Sequence, residues 1–530
     1  MIFVLYSILL WSTVAIIIIT GLATVLFMKN LWIKTQDLKV YVYTFLGTFL
    51  LLFMGYGCLI ASHHFSVDSF NLIFDMIPEW HLSLGRYTNA GVILLGEMLG
   101  FNQVIDQRKF MILWLITLTI MIVMIAEAIA KYMKEMTIKK YAAVIVAVAL
   151  SFLNVFGMEL MLFAEMAMVF ALSNLTLGLS IYYLLSDMKP LKKWLAITFF
   201  LIVSIGGYQS YIGIFVTFSL IGLFMKWQDN IKLRYIESVG TLVLGGGISV
   251  ANVVFAKALV ANGVVADSQR GAGLTLDIIL SNLQKIALYQ ISFWKNAAEL
   301  LPRGVMPLIG VLVAIIFMHT IKRLSTIEQK IFFVLMMAGC YVLGFAPHIV
   351  EAEIALTHRS NIAIWTVISV LFIFGVNYSL ECKRDLWKYI LNGVLMIAVV
   401  ANVYIMQDLA ANAQSVNQTD IMEATAIAHK MWEHQIKESV KITKIAMIND
   451  ESPTYLGYNS RYRGDQLGKR VMATSYSQKS LIQYVFGDKL TPVEMGEEVY
   501  REHFKGKDWN YMNPDEQVVC IGDTVYIVVY

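Results

Sequence analysis

Polar side chains that can act as acids, bases or phosphate ligands are concentrated in short stretches between long apolar runs. The longest stretch follows His63, and later loops and turns carry glutamates, a Tyr-Gln pair, histidines and arginines. The candidate side chains are Asp68, Asp75, Trp80, Arg86, Glu159, Glu165, Tyr208, Gln209, Arg270, His348 and Arg359. Ionisable groups at the ends of membrane spans are costly, so they are candidates for function.

These residue types suit a lipid-linked anionic substrate, for example a polyprenyl-phosphate sugar. A guanidinium group binds phosphate oxygens in a bidentate manner. An aspartate can take the proton from an acceptor hydroxyl. Glutamate, tyrosine and glutamine side chains can hydrogen-bond sugar hydroxyls, and a tryptophan can stack on a sugar face or anchor at the membrane interface.

The elements that position these groups must be membrane helices, as the composition indicates. Of 530 residues, 58% are hydrophobic and only 15% are charged, and the mean hydropathy is +0.65. This composition excludes an ordinary soluble protein and a disordered chain. A net charge of +3 also makes nucleic-acid binding by a basic surface improbable.

Twelve apolar runs are long enough to be candidate membrane spans. They are centred in residues 3–27, 40–61, 110–130, 141–157, 163–185, 193–207, 209–225, 236–259, 304–321, 331–347, 360–380 and 388–406. We therefore predict an all-α polytopic membrane domain over residues 1–406. A small α/β domain is predicted over residues 407–530, where the apolar runs stop.

Basic residues in alternate short loops set the predicted orientation. They place those loops in the cytoplasm, and they place the N-terminus and the C-terminal domain outside. The long loops 63–109 and 261–303 are then external, and 275–300 is predicted to be an amphipathic helix in the outer interface. All the turns that carry the candidate residues face this side.

Local patterns predict the elements of the C-terminal domain. Helices are expected over Asp420–Ile436, Ser477–Phe486 and Val493–Phe504, and strands over Lys441–Ile448 and Val518–Tyr530. The four cysteines form neither a disulfide framework nor a metal-binding spacing. No ligand motif indicates a divalent cation, so no cofactor is assigned.

The whole chain resembles the GT-C membrane glycosyltransferases, and more closely the GtrII-type glucosyltransferases of bacteria. The resemblance is carried by Asp68 in the first large external loop, by Trp80 followed by Gly85-Arg86, by Gly207-Tyr208-Gln209-Ser210-Tyr211, and by the small C-terminal domain. It implies that Asp68 is the principal catalytic acid and that Glu159 is a second acid. The loop lacks the adjacent Asp-Asp pair of many GT-C members, which weakens the case for a bound metal.

The resemblance and the residues together predict an inverting hexosyltransferase in the bacterial cytoplasmic membrane. It would use a polyprenyl-phosphate sugar as donor and a surface glycan as acceptor. Asp68 would be the general base, with Asp75 as its substitute. Arg86, Arg359, Arg270 and His348 would bind the donor phosphate, whereas Glu165, Tyr208, Gln209 and Trp80 would contact the sugar. A flippase for lipid-linked glycans, or a polysaccharide polymerase or ligase, is the alternative function.

Overall fold

The computed structural model describes most of the chain. The described residues are 2–35, 38–74, 78–133, 136–227, 230–266, 275–379, 385–449, 462, 467–507 and 511–529. Two of the predicted site residues, Asp75 and Arg270, lie outside these ranges.

The described chain is mostly helical. The helices are α1 (Ile2–Thr35), α2 (Leu38–Ala61), α3 (Ser69–Phe74), α4 (Pro78–Ser83), α5 (Tyr87–Leu99), α6 (Gln107–Ala130), α7 (Ile138–Ala149), α8 (Val155–Met161), α9 (Ala167–Leu185), α10 (Pro190–Gly207), α11 (Tyr211–Lys226), α12 (Ile231–Ala261), α13 (Leu276–Asn296), α14 (Val305–Arg323), α15 (Ile327–Leu343), α16 (Ala346–Ile349), α17 (Ala363–Ser379), α18 (Asp385–Glu438), α19 (Gln478–Phe486), α20 (Glu497–His503) and α21 (Pro514–Gln517). The strands are β1 (Lys444–Asn449), β2 (Thr491–Pro492), β3 (Val518–Ile521) and β4 (Thr524–Val529).

Nine segments of the described chain are long and apolar enough to cross a membrane. They correspond to α1, α2, α6, α9, α10, α12, α14, α17 and α18. The other three predicted spans are helices of 12, 16 and 17 residues, namely α7, α11 and α15. The protein is therefore a multi-pass membrane protein.

The predicted span 141–157 is divided because Asn154 interrupts the helix. Its Oδ1 accepts hydrogen bonds from the N–H groups of Phe156 and Gly157, both at 3.0 Å. Such a side-chain acceptor satisfies the first N–H groups of a new helix, so α7 ends at Ala149 and α8 begins at Val155. The sequence remains apolar across the break, so hydropathy alone predicted one span where the structure has two helices.

The described chain divides into two compact units. The first contains residues 1–60, 77–161 and 166–407, and the second contains 61–76, 162–165 and 408–530. The change from one unit to the other at Gln407 lies within one residue of the predicted domain boundary. However, two short segments from the predicted membrane domain are counted with the C-terminal residues, and one of these segments carries Asp68.

The second unit contains a four-stranded sheet in the order β2-β1-β4-β3. Strand β1 is parallel to β2 and β4, whereas β3 and β4 are antiparallel. The sequence predicted one strand over Val518–Tyr530, which is wrong, because Gly522, with φ 57°, turns the chain between β3 and β4. The sheet packs against α18 and α19 in one apolar core, which also includes Val67 and Phe70 beside Asp68.

A buried ionic network joins α18 to the segment before α19. Arg470 Nε donates to Asp420 Oδ1 at 2.6 Å, and its Nη2 donates to Glu423. Asp420 also accepts the N–H groups of Val471 at 2.9 Å and Met472 at 3.2 Å. The side chains of Arg470 and Asp420 are 5% and 1% exposed, so each depends on the other to offset the cost of burial.

We expect Arg470→Ala to destabilise the second unit by about 3–5 kcal/mol, because it leaves a buried carboxylate without its cation. The rate of proteolysis of the C-terminal domain in the detergent-purified full chain measures the effect, since cleavage follows the population of the opened form. The control is Lys441→Ala, which removes the exposed Lys441–Asp488 ion pair and should cost about 1 kcal/mol at most. Equal cleavage of the two variants would contradict the prediction.

Candidate active site

Asp68 lies at the start of α3 in the second unit, on a loop held by its own side chains. The N–H of Asp68 donates to Ser66 Oγ at 3.1 Å, and the N–H of Ser66 donates to Ser69 Oγ at 2.8 Å. The carbonyl of Asp68 accepts the N–H of Leu72 at 3.3 Å, which begins the first turn of α3. These bonds fix the backbone, while the Asp68 side chain is partly exposed.

Glu165 contacts the same loop. Ser66 Oγ donates to its Oε1 at 2.6 Å, and Ser69 Oγ donates to its Oε2 at 2.9 Å. Glu165 is buried and interacts electrostatically with Asp68. A buried carboxylate needs hydrogen-bond partners, and here the hydroxyls of the Asp68 loop supply them. The structure therefore joins two of the predicted site residues, Asp68 and Glu165, through Ser66 and Ser69.

A partner of Asp68 that the sequence did not indicate comes from the C-terminal domain. The hydroxyl of Tyr476 donates to Asp68 Oδ1 at 3.1 Å. The two residues are 408 positions apart, and no motif links them in the sequence.

In the first unit, Arg86 is at the N-cap of α5, and Tyr208 and Gln209 lie in the turn between α10 and α11. Arg86 Nε donates to Gln209 Oε1 at 3.4 Å, and Gln209 Nε2 donates to the carbonyl of Leu84 at 2.6 Å. The guanidinium carbon of Arg86 lies 5.9 Å from the centroid of the Tyr208 ring, within the range of a cation–π contact. Arg86 therefore contacts both residues of the Tyr208-Gln209 turn.

The turn that presents Arg86 requires a glycine. Gly85 has φ 73°, and a Cβ at this position would lie 2.6 Å from Oδ1 of Asn252. Only glycine adopts this conformation without steric cost and leaves room for the neighbouring amide. Gly85 thus fixes the direction of the chain as it enters α5.

Glu159 is buried in α8 and is bound by the segment that precedes α17. The N–H of Arg359 donates to Glu159 Oε2 at 2.8 Å, and His358 Nδ1 lies 3.8 Å from the same oxygen. Burial would raise the pKa of Glu159, but His358 and then Arg359 outweigh it and hold this pKa at about 2. Burial acts to lower the pKa of His358, but Glu159 outweighs it, and the net shift is upward. The two groups therefore form an ion pair.

Tyr208 connects the two groups of residues in the first unit. It is buried, and burial raises the pKa of its phenol, while the charges of Arg359 and Arg86 act in the opposite direction. The charge of Glu159 also acts on this phenol. Two arginines, one carboxylate and one tyrosine from separate parts of the chain therefore converge in the first unit.

His348, another candidate for phosphate binding, is engaged elsewhere. Its Nδ1 lies 2.9 Å from Glu351 Oε2. Asn282 of α13 donates to the carbonyls of His348, Ile349 and Glu351 at 3.1, 3.3 and 2.8 Å. The predicted amphipathic helix thus exists as α13 and holds this turn, and its Leu276, Leu288 and Ile291 are exposed.

Trp80 and its neighbour His81 complete the group. Trp80 is 39% exposed and lies edge-on to His81, with ring centroids 4.9 Å apart. His81 is buried, and burial followed by the charge of Arg86 lowers its pKa to about 3. Asn89 Nδ2 lies 2.8 Å from His81 Nδ1. The sequence interpretation assigned no role to His81 or His358, although both lie beside predicted arginines.

In the described parts of the chain, no group of three or more His, Cys, Asp or Glu side chains is placed to hold a metal ion.

The described helices define a multi-pass membrane protein. The family model described as Glucosyl transferase GtrII matches residues 57–376, which is more than half of the chain. The chain therefore belongs to the GtrII glucosyltransferase family, as its sequence motifs predicted. No curated protein and no solved structure matches the chain.

The Glu159–His358 pair predicts a pH-dependent stability. The pKa of His358 is raised above its ordinary value of 6.5, so its contribution is complete below pH 6.5 and is lost as the pH rises through the folded-state pKa. The contribution of Glu159 is present above its ordinary value of 4.5 and is lost as the pH falls towards about 2. We therefore expect Glu159→Gln to lower the melting temperature more at a pH of about 5.5 than at a pH of about 9.

The control for this measurement is Glu353→Gln, which changes an exposed carboxylate in the segment that precedes α17. It should leave the melting temperature close to that of the unchanged protein at both pH values. A Glu159→Gln effect that is the same at both pH values would show that the ion pair does not contribute in this way.

Proposed function

We propose that this glucosyltransferase inverts the sugar centre while moving a hexose such as glucose from a polyprenyl-phosphate donor to a surface glycan. The convergence of Arg86, Arg359 and Glu159 on Tyr208 is the observation that supports this proposal most. Two guanidinium groups in a largely buried cluster suit a phosphate group, because charge-assisted hydrogen bonds are strong where water is scarce.

The donor phosphate interacts with Arg86 and Arg359. When the bond between the sugar C1 and the phosphate oxygen breaks, the leaving group gains one negative charge. The guanidinium groups stabilise that charge as it develops. Glu159 and His358 form the buried pair that holds the backbone of Arg359. His348 is a weaker candidate for the phosphate site, and Arg270 keeps its predicted role in the same site.

Asp68 acts as the general base. It accepts the proton of the acceptor hydroxyl while that oxygen bonds to C1 from the face opposite the phosphate. The products are the glycosylated acceptor, polyprenyl phosphate and a protonated Asp68, which returns its proton to water. Glu165 orients the base through Ser66 and Ser69. Asp75 keeps its predicted role as the substitute base.

Trp80, Tyr208 and Gln209 contact the donor sugar. Trp80 is partly exposed and can stack on a sugar face. Gln209 is also partly exposed, and its amide lies beside Arg86, where it can meet a hydroxyl of the sugar that the phosphate carries. The phenol of Tyr208, which interacts with the charges of both arginines, orients the donor at the junction of sugar and phosphate.

The acceptor glycan binds the second unit. An open cleft of about 370 Å³ in this unit is lined by Ser62, His63, Phe65, Gln414, Asn417, Gln418, Ile421 and Met422. Its hydroxyl and amide groups can hydrogen-bond sugar hydroxyls, its apolar and aromatic side chains can pack on a sugar face, and its volume falls within the range of ligand pockets. Phe65 is three residues before Asp68, which places this lining next to the base along the chain.

The proposed topology has twelve spans in the bacterial cytoplasmic membrane. The Lys- and Arg-rich loops are cytoplasmic, and the N-terminus and the C-terminal domain are extracytoplasmic. The lipid donor diffuses within the bilayer, and α13, whose exposed leucines and isoleucine suit the interface, lies in the outer leaflet.

Asp68→Asn should reduce sugar transfer by about a hundredfold or more, because the amide cannot take a proton. Membranes containing the protein are supplied with polyprenyl-phosphate glucose labelled in the sugar and with surface glycan from cells that lack the protein. The control is Asp515→Asn, which changes an exposed acid of the C-terminal domain and should keep full activity. Full transfer by Asp68→Asn at normal protein levels would refute the assignment of the base.

Arg86→Lys should weaken donor binding by about tenfold, because ammonium cannot replace the bidentate contacts of guanidinium. Equilibrium binding of the labelled polyprenyl-phosphate glucose to the detergent-purified protein measures the change. Arg303→Lys is the matched control, since Arg303 is exposed between α13 and α14. Donor affinity that is the same in Arg86→Lys as in the control would remove Arg86 from the phosphate site.

A further inference from the structure

Tyr476, which contacts Asp68, lies outside the residues that the family model matches. The family match ends at residue 376, whereas Tyr476 is in the C-terminal domain. Its hydroxyl donates to Asp68 Oδ1 at 3.1 Å, and its side chain is 55% exposed. A tyrosine that is more than half exposed contributes little to the core, so its position beside the proposed base is the feature that needs an explanation.

The segment that presents Tyr476 is firmly held. Arg470 and the N–H groups of Val471 and Met472 bind Asp420 of α18. Thr474 Oγ1 donates to the carbonyl of Arg470 at 2.7 Å, and the N–H of Ser477 donates to the carbonyl of Thr474 at 2.9 Å. The backbone on both sides of Tyr476 is therefore fixed by buried groups.

The neighbouring helix α19 also holds the segment of Asp68. Ser480 Oγ donates to Asn71 Oδ1 at 2.5 Å. The ring of Tyr484 packs against Phe65 and Phe70, with centroids 5.9 and 5.3 Å away. The residues before and after Asp68 thus belong to the same packed core as α19, and the position of Tyr476 relative to Asp68 is determined within one unit.

We propose that Tyr476 is a positioning residue of the transfer reaction, through which the C-terminal domain holds the carboxylate of Asp68 for proton abstraction. This inference rests on the proposed function, in which Asp68 is the base. The described contacts place two titratable groups at Asp68, namely Glu165 and Tyr476. Glu165 repels a charge on Asp68, whereas the phenol of Tyr476 donates a hydrogen bond to it.

The hydrogen bond from Tyr476 has two effects. It stabilises the ionised carboxylate, which is the form that accepts a proton. It also holds Oδ1 in place, which restricts the rotamers of the Asp68 side chain. Without the phenol, ionisation of Asp68 requires a higher pH, and its side chain samples more rotamers.

The test compares Tyr476→Phe with Tyr511→Phe in the full chain. Tyr511 is a tyrosine of the same domain with almost equal exposure, 56%. Transfer of labelled glucose from polyprenyl-phosphate glucose is measured against pH, with surface glycan from cells that lack the protein as acceptor. We expect Tyr476→Phe to lower kcat by about three- to tenfold, with donor affinity unchanged. The acidic limb of its kcat profile should move upward by about half to one pH unit.

Each outcome decides the inference. A lower kcat with a displaced acidic limb in Tyr476→Phe, and unchanged values in Tyr511→Phe, supports it. An unchanged Tyr476→Phe profile overturns it, and so does a loss of activity without displacement of the limb, which would indicate a structural role only. Asp68→Asn is measured in parallel. If that variant is inactive while Tyr476→Phe is normal, only this inference fails, whereas an active Asp68→Asn would overturn the proposed base as well.

Discussion

The carboxylate of Glu159 can remain ionised in a buried position only because His358 and the N–H of Arg359 lie against it. Without them, burial would favour the protonated acid. The same contact fixes the backbone of Arg359, and the charge of Arg359 acts on Tyr208 together with that of Arg86. The position of Arg359 beside Tyr208 therefore depends on this buried ion pair.

Other buried ion pairs in the first unit differ from this one. Arg234 is fully buried, and its Nη2 donates to both carboxylate oxygens of Glu328 at 2.7 Å, while Phe332 lies 4.9 Å from the guanidinium. Lys193 similarly pairs with Glu237. These contacts join helices where the sequence places cytoplasmic loops, and neither pair includes a predicted site residue. They are best explained as structural pairs, since a buried charge without a partner would be strongly destabilising.

Asp68 belongs to the second unit, whereas composition assigned it to the membrane domain. Hydropathy divides the chain near residue 406, and that division coincides with the end of the first unit. Composition averages over long windows, however, so it cannot detect a 16-residue segment that folds with another part of the chain. Val67 and Phe70 are buried in the core formed by α18, α19 and the sheet, and this burial assigns the Asp68 loop to the second unit.

How much of the site follows from the sequence depends on the distance between partners along the chain. Long apolar runs predicted most of the helices, and turns rich in charge predicted Arg86, Tyr208, Gln209, Glu159 and Arg359, whose contacts the structure brings together. The breaks at Asn154 and Gly522 were harder to predict from the sequence, because in each case one residue divides a longer apolar run. Asn154 divides a predicted span, and Gly522 divides a predicted strand. Tyr476 could not be predicted, because its contact spans 408 residues and depends on the Arg470 network and on the core around Phe70. A side chain that is placed by tertiary packing alone produces no periodicity or spacing in the sequence from which its contact could be predicted.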